Sequence, residues 1–574
     1  MRTMNADDPQ GGAEGIVGNR LFGREAFLRL LESEGIRHLF GNPGTTELPI
    51  MAALPDTPSI RYILALQESL VVAMADGYSR ASGELSACNV HVAPGLGNAM
   101  GSLYNAKWIG SPVIVSAGQQ EQGHGLTEPM LYDPLVPIAT PLVKWAVEVT
   151  RFEDLPRIMR RAAKIALTPP TGPVFISLPG DILNEAGAID LGRPTKVDAV
   201  ARPSDEALDR LAKRLLRAER PVVIAGHEVA LSDAFAETVA IVELLGAPVY
   251  QQTVVHGAHF PSAHPAFMGA LGRDQRAVRD ILGKYDLMFC IGSDVLRMSV
   301  HSAVDPMPDD MALVQLGQRD WEMGKNYPAE IALRGDVKES LRALAPRLEK
   351  RLGTARKEDA RLRIEGLASS NWSAKRPVVI ERAQGHRRRK PIPADLMVLR
   401  VIEAIPENTV IVDEGLVSTY SLPALYPFRD PKCYFGLASG GIGFAMAGAV
   451  GIKLALTHRP VVAIIGDGSA MYSIQALWTA ANANLPIIYI IANNAGYRII
   501  KERLRAFHRI EDYGGMEFKN PAIDFTALAR SMGVDARRIE DADEIGPAIK
   551  AGLERSAPTL IEVMVDDGFE NEGR

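Results

Sequence analysis

Two short polar tips in the last third of the sequence carry the residue types that could hold a metal-bound diphosphate. Gly466-Asp467-Gly468-Ser469 follows the apolar run Val461 to Ile465, and Asn493-Asn494-Ala495-Gly496-Tyr497 follows the run Pro486 to Ala492. Glycines at 466 and 468 let the backbone approach phosphate oxygens, and a helix opening after Ser469 points free N–H groups at the same anion. Asp467 and Asn494 stand 27 positions apart, one strand-helix-strand unit, so their oxygens can converge from neighbouring strands. With the carbonyl of Gly496, two phosphate oxygens and a water, they would complete the six-oxygen octahedron that Mg²⁺ prefers. Taken singly, Gly-Asp-Gly is commonly a plain turn and Asn-Asn-Ala-Gly a surface loop; their position behind two buried strands makes the pair specific.

Such tips need parallel strands behind them. Short apolar runs followed by helical spacing recur at Ile63 to Leu66, Ser86 to His91, Pro112 to Ala117 and Gly172 to Leu178. They recur again at Pro221 to Ala225, Pro248 to Gln251, Leu287 to Ile291 and Ala312 to Leu316, and a third time at Thr409 to Val412, Pro460 to Ile465, Pro486 to Ala492 and Thr559 to Val563. The alternation predicts an α/β fold of three domains, each a doubly wound parallel sheet. Boundaries are expected at 19–190, 200–352 and 394–574, after a loose, Gly-rich tail over 1–18. Residues 353–393, with weak apolar periodicity and the cluster Arg387-Arg388-Arg389-Lys390, read as a solvated linker.

The 574 residues carry 63 Lys+Arg against 69 Asp+Glu, a net charge of −6, which offers no basic surface for nucleic acid or an anionic membrane. Cys88, Cys290 and Cys433 are far apart and form no CxxC pair, as suits a reducing compartment. Ala438 to Leu456 is apolar for about a helix length but contains several glycines and Lys453, so a Gly-rich turn feeding a close-packed helix fits better than a membrane span. A cytoplasmic protein without membrane attachment is expected. Gly95 to Gly101 nearly spells a dinucleotide fingerprint, but its third glycine is one residue late and no acid follows a second strand. His256, His259 and His264 are irregularly spaced and joined by no carboxylate, so they do not predict a metal site.

The Gly-Asp-Gly and Asn-Asn pair resembles the diphosphate motif of thiamine-diphosphate enzymes of the pyruvate oxidase and decarboxylase type. The resemblance runs from about Leu21 to Val565 and implies that the three blocks are pyrimidine-binding, middle and diphosphate-binding domains. Gly41-Asn42-Pro43-Gly44-Thr45-Thr46-Glu47-Leu48-Pro49, Tyr62 to Glu68, Gly97-Asn98-Ala99-Met100-Gly101, Ala117 to Gln120, Pro141 to Trp145 and Ala476 to Ala480 look most like the benzoylformate decarboxylase branch. The implied cofactors are thiamine diphosphate and Mg²⁺, with Gly466, Asp467, Gly468, Ser469, Asn494 and Gly496 around the diphosphate and the metal.

By the same resemblance, Glu68 is the glutamate that hydrogen-bonds N1′ of the aminopyrimidine and promotes loss of the thiazolium C2 proton. Read alone, it is a first-turn helix acid favoured by the helix dipole. Ile442, in Ser439-Gly440-Gly441-Ile442-Gly443, matches the apolar wedge between the cofactor rings, and the Gly440 carbonyl would accept from the exocyclic amine; read alone, Ile442 is a core residue of a Gly-rich turn. His91 matches an active-site histidine that moves protons, although a lone histidine there is commonly a structural hydrogen-bonder. Thr45 stands where the branch has a serine that contacts the substrate carboxylate.

The sequence also departs from that branch. A second catalytic histidine is replaced by Ser299, with His301 two residues on, which puts protonation in question and leaves room for carboligation. After Asn494 the run Arg498-Ile499-Ile500-Lys501-Glu502 is more charged; Ile500 is expected to shape the substrate pocket, and the charges either recognise an anionic or larger substrate or form a solvated helix face. The expected reaction is decarboxylation of an aromatic or other bulky 2-oxo acid, by a homodimer at minimum and, on the family pattern, a homotetramer whose sites each draw Glu68 from one chain and Asp467 and Asn494 from another. The alternatives are a carboligase resembling acetolactate synthase with FAD in its middle domain, a 2-hydroxyacyl-CoA lyase, and a noncatalytic relative that only binds the cofactor.

Overall fold

The computed structural model describes residues 20–299 and 301–569; the tail expected over 1–18 lies outside them. Three six-stranded parallel sheets carry the chain. Numbered within its own sheet, the N-terminal domain has strand order 2-1-3-4-6-5, the C-terminal domain repeats it, and the middle domain is 3-2-1-4-5-6. The order reverses between the first and third strands of the two outer sheets and between the first and fourth of the middle one, so that neighbouring crossovers leave to opposite faces there; ligands of open α/β sheets bind outside the carboxyl ends of such strands.

The central strands formed where the sequence has unbroken apolar runs, because both faces are covered: Val113–Gln119, Val174–Pro179, Val461–Gly466 and Ile487–Asn493 are buried along nearly their whole length. Strands at the sheet edges, Ala146–Glu148, Phe267–Ala270, Ile331–Arg334, Tyr434–Gly436 and Asp535–Ile539, are short or mixed in polarity and carry no such run. Residues 353–393 differ from the expected solvated crossing. They hold the helices Thr354–Gly366 and Trp372–Gly385, which bury Ala360, Ile364, Trp372 and Ala383 against the middle and C-terminal cores. Their charged outer faces hid a narrow apolar stripe; within the basic cluster, Arg387 pairs with Asp543 and Lys390 with Asp541. All three cysteines are buried and unpaired. Among the described residues, no helix is long and apolar enough to cross a membrane.

The helix Glu68–Ser82 packs directly on Phe444–Ala455, the helix expected after the Gly-rich turn. The backbones meet so closely that a Cβ on Gly451 would stand 1.9 Å from the Met74 carbonyl oxygen. Nearly two turns later, Arg80 ties the three domains together: its Nη2 donates to the carbonyl of His256 in the middle domain at 2.8 Å and to that of Gly436 in the C-terminal domain at 3.1 Å. Its guanidinium also lies 4.7 Å from the Phe444 ring centroid. Hydrogen bonds to a charged group contribute about 1.5–3 kcal/mol each, so Arg80→Met is expected to cost about 3 kcal/mol. A lowered thermal unfolding midpoint at unchanged helix content would show it.

Candidate active site

At the carboxyl ends of two neighbouring parallel strands of the C-terminal sheet, Asp467 opens the short helix Asp467–Ala470 directly after Val461–Gly466, and Asn494 follows Ile487–Asn493. The amide of Gly496 donates both to Asp467 Oδ2, at 3.1 Å, and to Asn494 Oδ1, at 3.2 Å, so the two side-chain oxygens converge on one N–H. Asp467 Oδ1 accepts from Gly468 at 2.8 Å. Burial pushes the Asp467 carboxyl up to about 6, against the opposing pull of these amides. The turn is held by Ala495, a non-glycine residue at φ +56°. Beside it, the Ser469 hydroxyl is buried and lacks a hydrogen-bond partner. Buried hydroxyls are normally satisfied, so this donor waits for an acceptor that the chain does not supply. One carboxylate, one amide oxygen and an orphaned hydroxyl at a strand-to-helix turn fit a metal-bound diphosphate. Among the described residues, no group of three or more His, Cys, Asp or Glu gathers to bind a metal, as befits a donor set completed by carbonyl and phosphate oxygens.

Gly440, at φ +88°, and the half-buried Ile442 lie on the loop before the helix Phe444–Ala455. Glu414 shapes this loop from below: its carboxylate accepts from the amides of Gly443 and Ala445, and burial pushes it up to about 7. Glu414 was missed, although two acids, Asp413 and Glu414, closing a strand that begins Val-Ile-Val were an available signal.

The N-terminal sheet gathers a second group at its own strand ends. Glu68 begins its helix after the Gln67 cap, buried, with Oε1 accepting from Asn42 Nδ2 at 3.1 Å and Oε2 from Asn98 Nδ2 at 3.0 Å. His91 ends the strand Ser86–His91, and the chain then turns through Val92 at φ +41°, a backbone that costs a β-branched residue about 1–3 kcal/mol. Its Nδ1 lies 2.7 Å from Oε2 of the buried Glu47 and 3.0 Å from Thr46 Oγ1. Glu47 also accepts from the amides of Gly44 and Gly118 and from Thr46 Oγ1. With Nδ1–H committed to the carboxylate, Nε2 is the nitrogen left to exchange protons. Glu47 was missed, although it lies inside the stretch Gly41 to Pro49; nothing in its spacing to His91 announces the pair. Thr45 is exposed, and it is the adjacent Thr46 that touches His91.

The hydrogen bond that His91 makes to Glu47, opposed by burial and reinforced by the charges of Glu47 and Glu68, raises His91 above its ordinary value. The protonated pair therefore stabilises the fold fully below the unfolded value of about 6.5 and loses that contribution as pH rises through the higher folded value. If His91 works as an acid, kcat/KM falls above that folded value. Glu47→Gln is then expected to move the falling limb to lower pH; an unmoved limb in a pH–rate profile would contradict this.

A third region is a cavity of about 1140 Å³ lined by Ser299, His301, Gly440, Glu414, Arg503 and Phe507 among others, every lining residue lying between Thr253 and Phe507. Ile500 is exposed on the helix Arg498–His508 and shares the face of Arg503 and Phe507 by helical spacing. Arg498, Lys501 and Glu502 do not form a solvated face. Lys501 is only 1% exposed and pairs with Glu517, and Arg498 is bound to Glu502 and Asp566. Ser299, His301 and Gly440 are thus brought together, while Glu68, His91 and Thr45 contribute nothing to that cavity.

The arrangement defines the class. The thiamine pyrophosphate enzyme family matches in three pieces: its N-terminal TPP binding domain over residues 22–130, its central domain over 208–344 and its C-terminal TPP binding domain over 417–563. This chain belongs to that family. It is 33% identical over 543 residues to a benzoylformate decarboxylase of Pseudomonas aeruginosa, covering 94% of this chain and 98% of the relative. It is 29% identical to a probable acetolactate synthase large subunit of Methanocaldococcus jannaschii, covering 95% and 92%. Among solved structures, the thiamine diphosphate-dependent 4-hydroxybenzoylformate decarboxylase of Rhodococcus jostii RHA1 superposes with a TM-score of 0.82 at 31% identity, covering 95% of this chain and 99% of that one.

Proposed function

We propose that the chain is a Mg²⁺-dependent thiamine diphosphate decarboxylase acting on benzoylformate or another bulky 2-oxo acid and releasing CO₂ and an aldehyde, with carboligation as a side activity. Bound thiamine diphosphate supplies a carbon nucleophile and an electron sink for the C–C cleavage. Asp467, Asn494 and the Gly496 carbonyl would hold the metal, and Gly466, Gly468 and Ser469 the diphosphate. Glu68 would hold a proton at N1′ of the aminopyrimidine, with Asn42 and Asn98 fixing its carboxylate. Gly440 would accept from the exocyclic amine, and Ile442 would supply apolar contact between the rings. Thr45 would meet the substrate carboxylate, and Ser299, His301 and Ile500 would border the substrate.

One observation carries the decarboxylase reading: His91, tied through Nδ1 to the buried Glu47 with Nε2 left over, is a ready acid for the proton that replaces CO₂ on the substrate carbon. Cofactor-loaded protein given benzoylformate, pyruvate and branched 2-oxo acids should yield CO₂ and aldehyde in equal amounts, with benzoylformate among the better substrates. Aldehyde without CO₂ from a 2-hydroxyacyl-CoA thioester, or acetolactate from pyruvate as the dominant product, would sink it.

The site would be shared between two chains of a homodimer, the minimum assembly, within a homotetramer. The large cavity takes no residue from the N-terminal domain, and apolar side chains stand uncovered near both halves: Leu66, Leu126 at 94% and Met130 at 84% exposure on one, Met471 and Tyr472 on the other.

Against the FAD-holding carboligase stands the middle domain's own switch point, between Pro221–Ala225 and Leu287–Ile291. The crevice beyond these strands is filled by side chains: Glu228 accepts from the Gln318 amide at 2.6 Å, and Arg319 binds Asp294 and His227 at 3.1 and 3.2 Å. A Cβ on Gly292 would stand 2.5 Å from the Cβ of Glu228. A diphosphate would meet carboxylates there instead of free amides.

A further inference from the structure

The cavity beside Gly440 is large for a small aryl 2-oxo acid, since ligand pockets commonly span about 300–1,000 Å³, and its charge is one-sided. Five basic side chains line it: Arg273, Arg297, His301, Lys375 and Arg503. Three of them, Arg273, His301 and Arg503, make no hydrogen bond or ion pair among the described residues, and Arg503 has only the Phe507 ring beside it, at 5.8 Å. Lys375 donates only to the Met268 carbonyl, at 3.3 Å. Arg297 lies over the Trp108 ring at 3.7 Å and reaches Asp294 at 3.8 Å.

The acids lining the same cavity are already used. Asp274 caps the helix Gln275–Leu282, Asp413 accepts from the Tyr434 hydroxyl and the Gly415 amide, and Glu414 accepts from Gly443 and Ala445. In a chain of net charge −6, this cavity holds unspent positive charge next to the loop of Gly440. A concave wall of one sign raises the local concentration of counter-ions and orients them.

We propose that this cavity selects a substrate bearing a second anionic group, carboxylate or phosphate, at the end remote from its 2-oxo acid function, with Arg273 and Arg503 as specificity-determining residues. The inference rests on the 2-oxo acid reading above and deepens it. Apolar walls from Met268, Met298, Trp372 and Phe507 would take the body of the molecule.

Matched pairs test it: phenylglyoxylate against 4-carboxyphenylglyoxylate and against its 4-phosphonooxy analogue, and 2-oxopentanoate against 2-oxoglutarate, at low and high salt. The anionic member is expected to be favoured in kcat/KM by about tenfold or more at low salt, the scale of a charge-assisted contact. The preference should shrink with salt and largely vanish in an Arg273→Ala/Arg503→Ala protein. Because the readout is a ratio within each protein, a general loss of activity does not mimic it. The carboxylate and phosphate arms show which anion is preferred. A wild-type ratio at or below one, or a ratio unchanged in the double variant, overturns the proposal. If no pair yields CO₂ although cofactor binds, the decarboxylase reading has failed; binding of glutarate against butyrate, followed by the fluorescence of the cavity tryptophan Trp372, then decides the anion site by itself. Tighter glutarate binding that the double variant loses supports it, and equal binding rejects it.

Discussion

Glu68→Gln lowers turnover by about 10²–10⁴-fold, the range contributed by a positioned acid–base group, while thiamine diphosphate still binds. Gln keeps the size of the side chain and can accept from one of Asn42 and Asn98, the other having to turn its amide oxygen to the Gln NH2, but it cannot hold or release a proton at N1′. The effect therefore belongs in kcat, not in cofactor affinity, and the substitution separates a catalyst from a noncatalytic relative. Turnover within a factor of two of the parent protein at saturating cofactor would remove the proton-relay role.

Asp467→Ala acts on the other half of the site. Asp467 is the carboxylate where the two strand tips converge, and it is buried. Removing one partner of a buried charge contact costs roughly 3–5 kcal/mol, so cofactor affinity in the presence of Mg²⁺ should fall by at least about two orders of magnitude. Titration by quenching of intrinsic fluorescence, with and without chelator, reads it directly. Parent-like affinity in the variant, or parent affinity indifferent to chelator, would place the metal elsewhere.

The contrast between what was legible in the sequence and what was not follows from burial. Strands covered on both faces must be apolar throughout, so Pro221–Ala225 and Leu287–Ile291 are readable to the residue, and Asp467 and Asn494 follow from the ends of such strands. Edge strands such as Asp535–Ile539, exposed at Asp535, Arg537 and Arg538, leave little trace. His38–Gly41 escaped although it is internal, because it is only four residues long and starts on a histidine. The helices of 353–393 escaped because a narrow apolar stripe lies under a charged surface. Pairings between distant residues are a different case. No local spacing says that Glu47 meets His91, that Arg80 pins two other domains, or that Lys501, on a charged helix, is buried against Glu517. Such contacts are set by topology, and the sequence records only that the residue types are available.

The most direct test of a catalytic site built by two chains is complementation. Glu68→Gln and Asp467→Ala chains, each inactive alone, are co-expressed with different tags and purified through both tags as a mixed dimer. One of its two sites then carries both lesions and the other carries neither, so about half of the parent specific activity should return. A mixed dimer as inactive as its parents would show that Glu68 and Asp467 of the same chain serve one site, and would contradict the account.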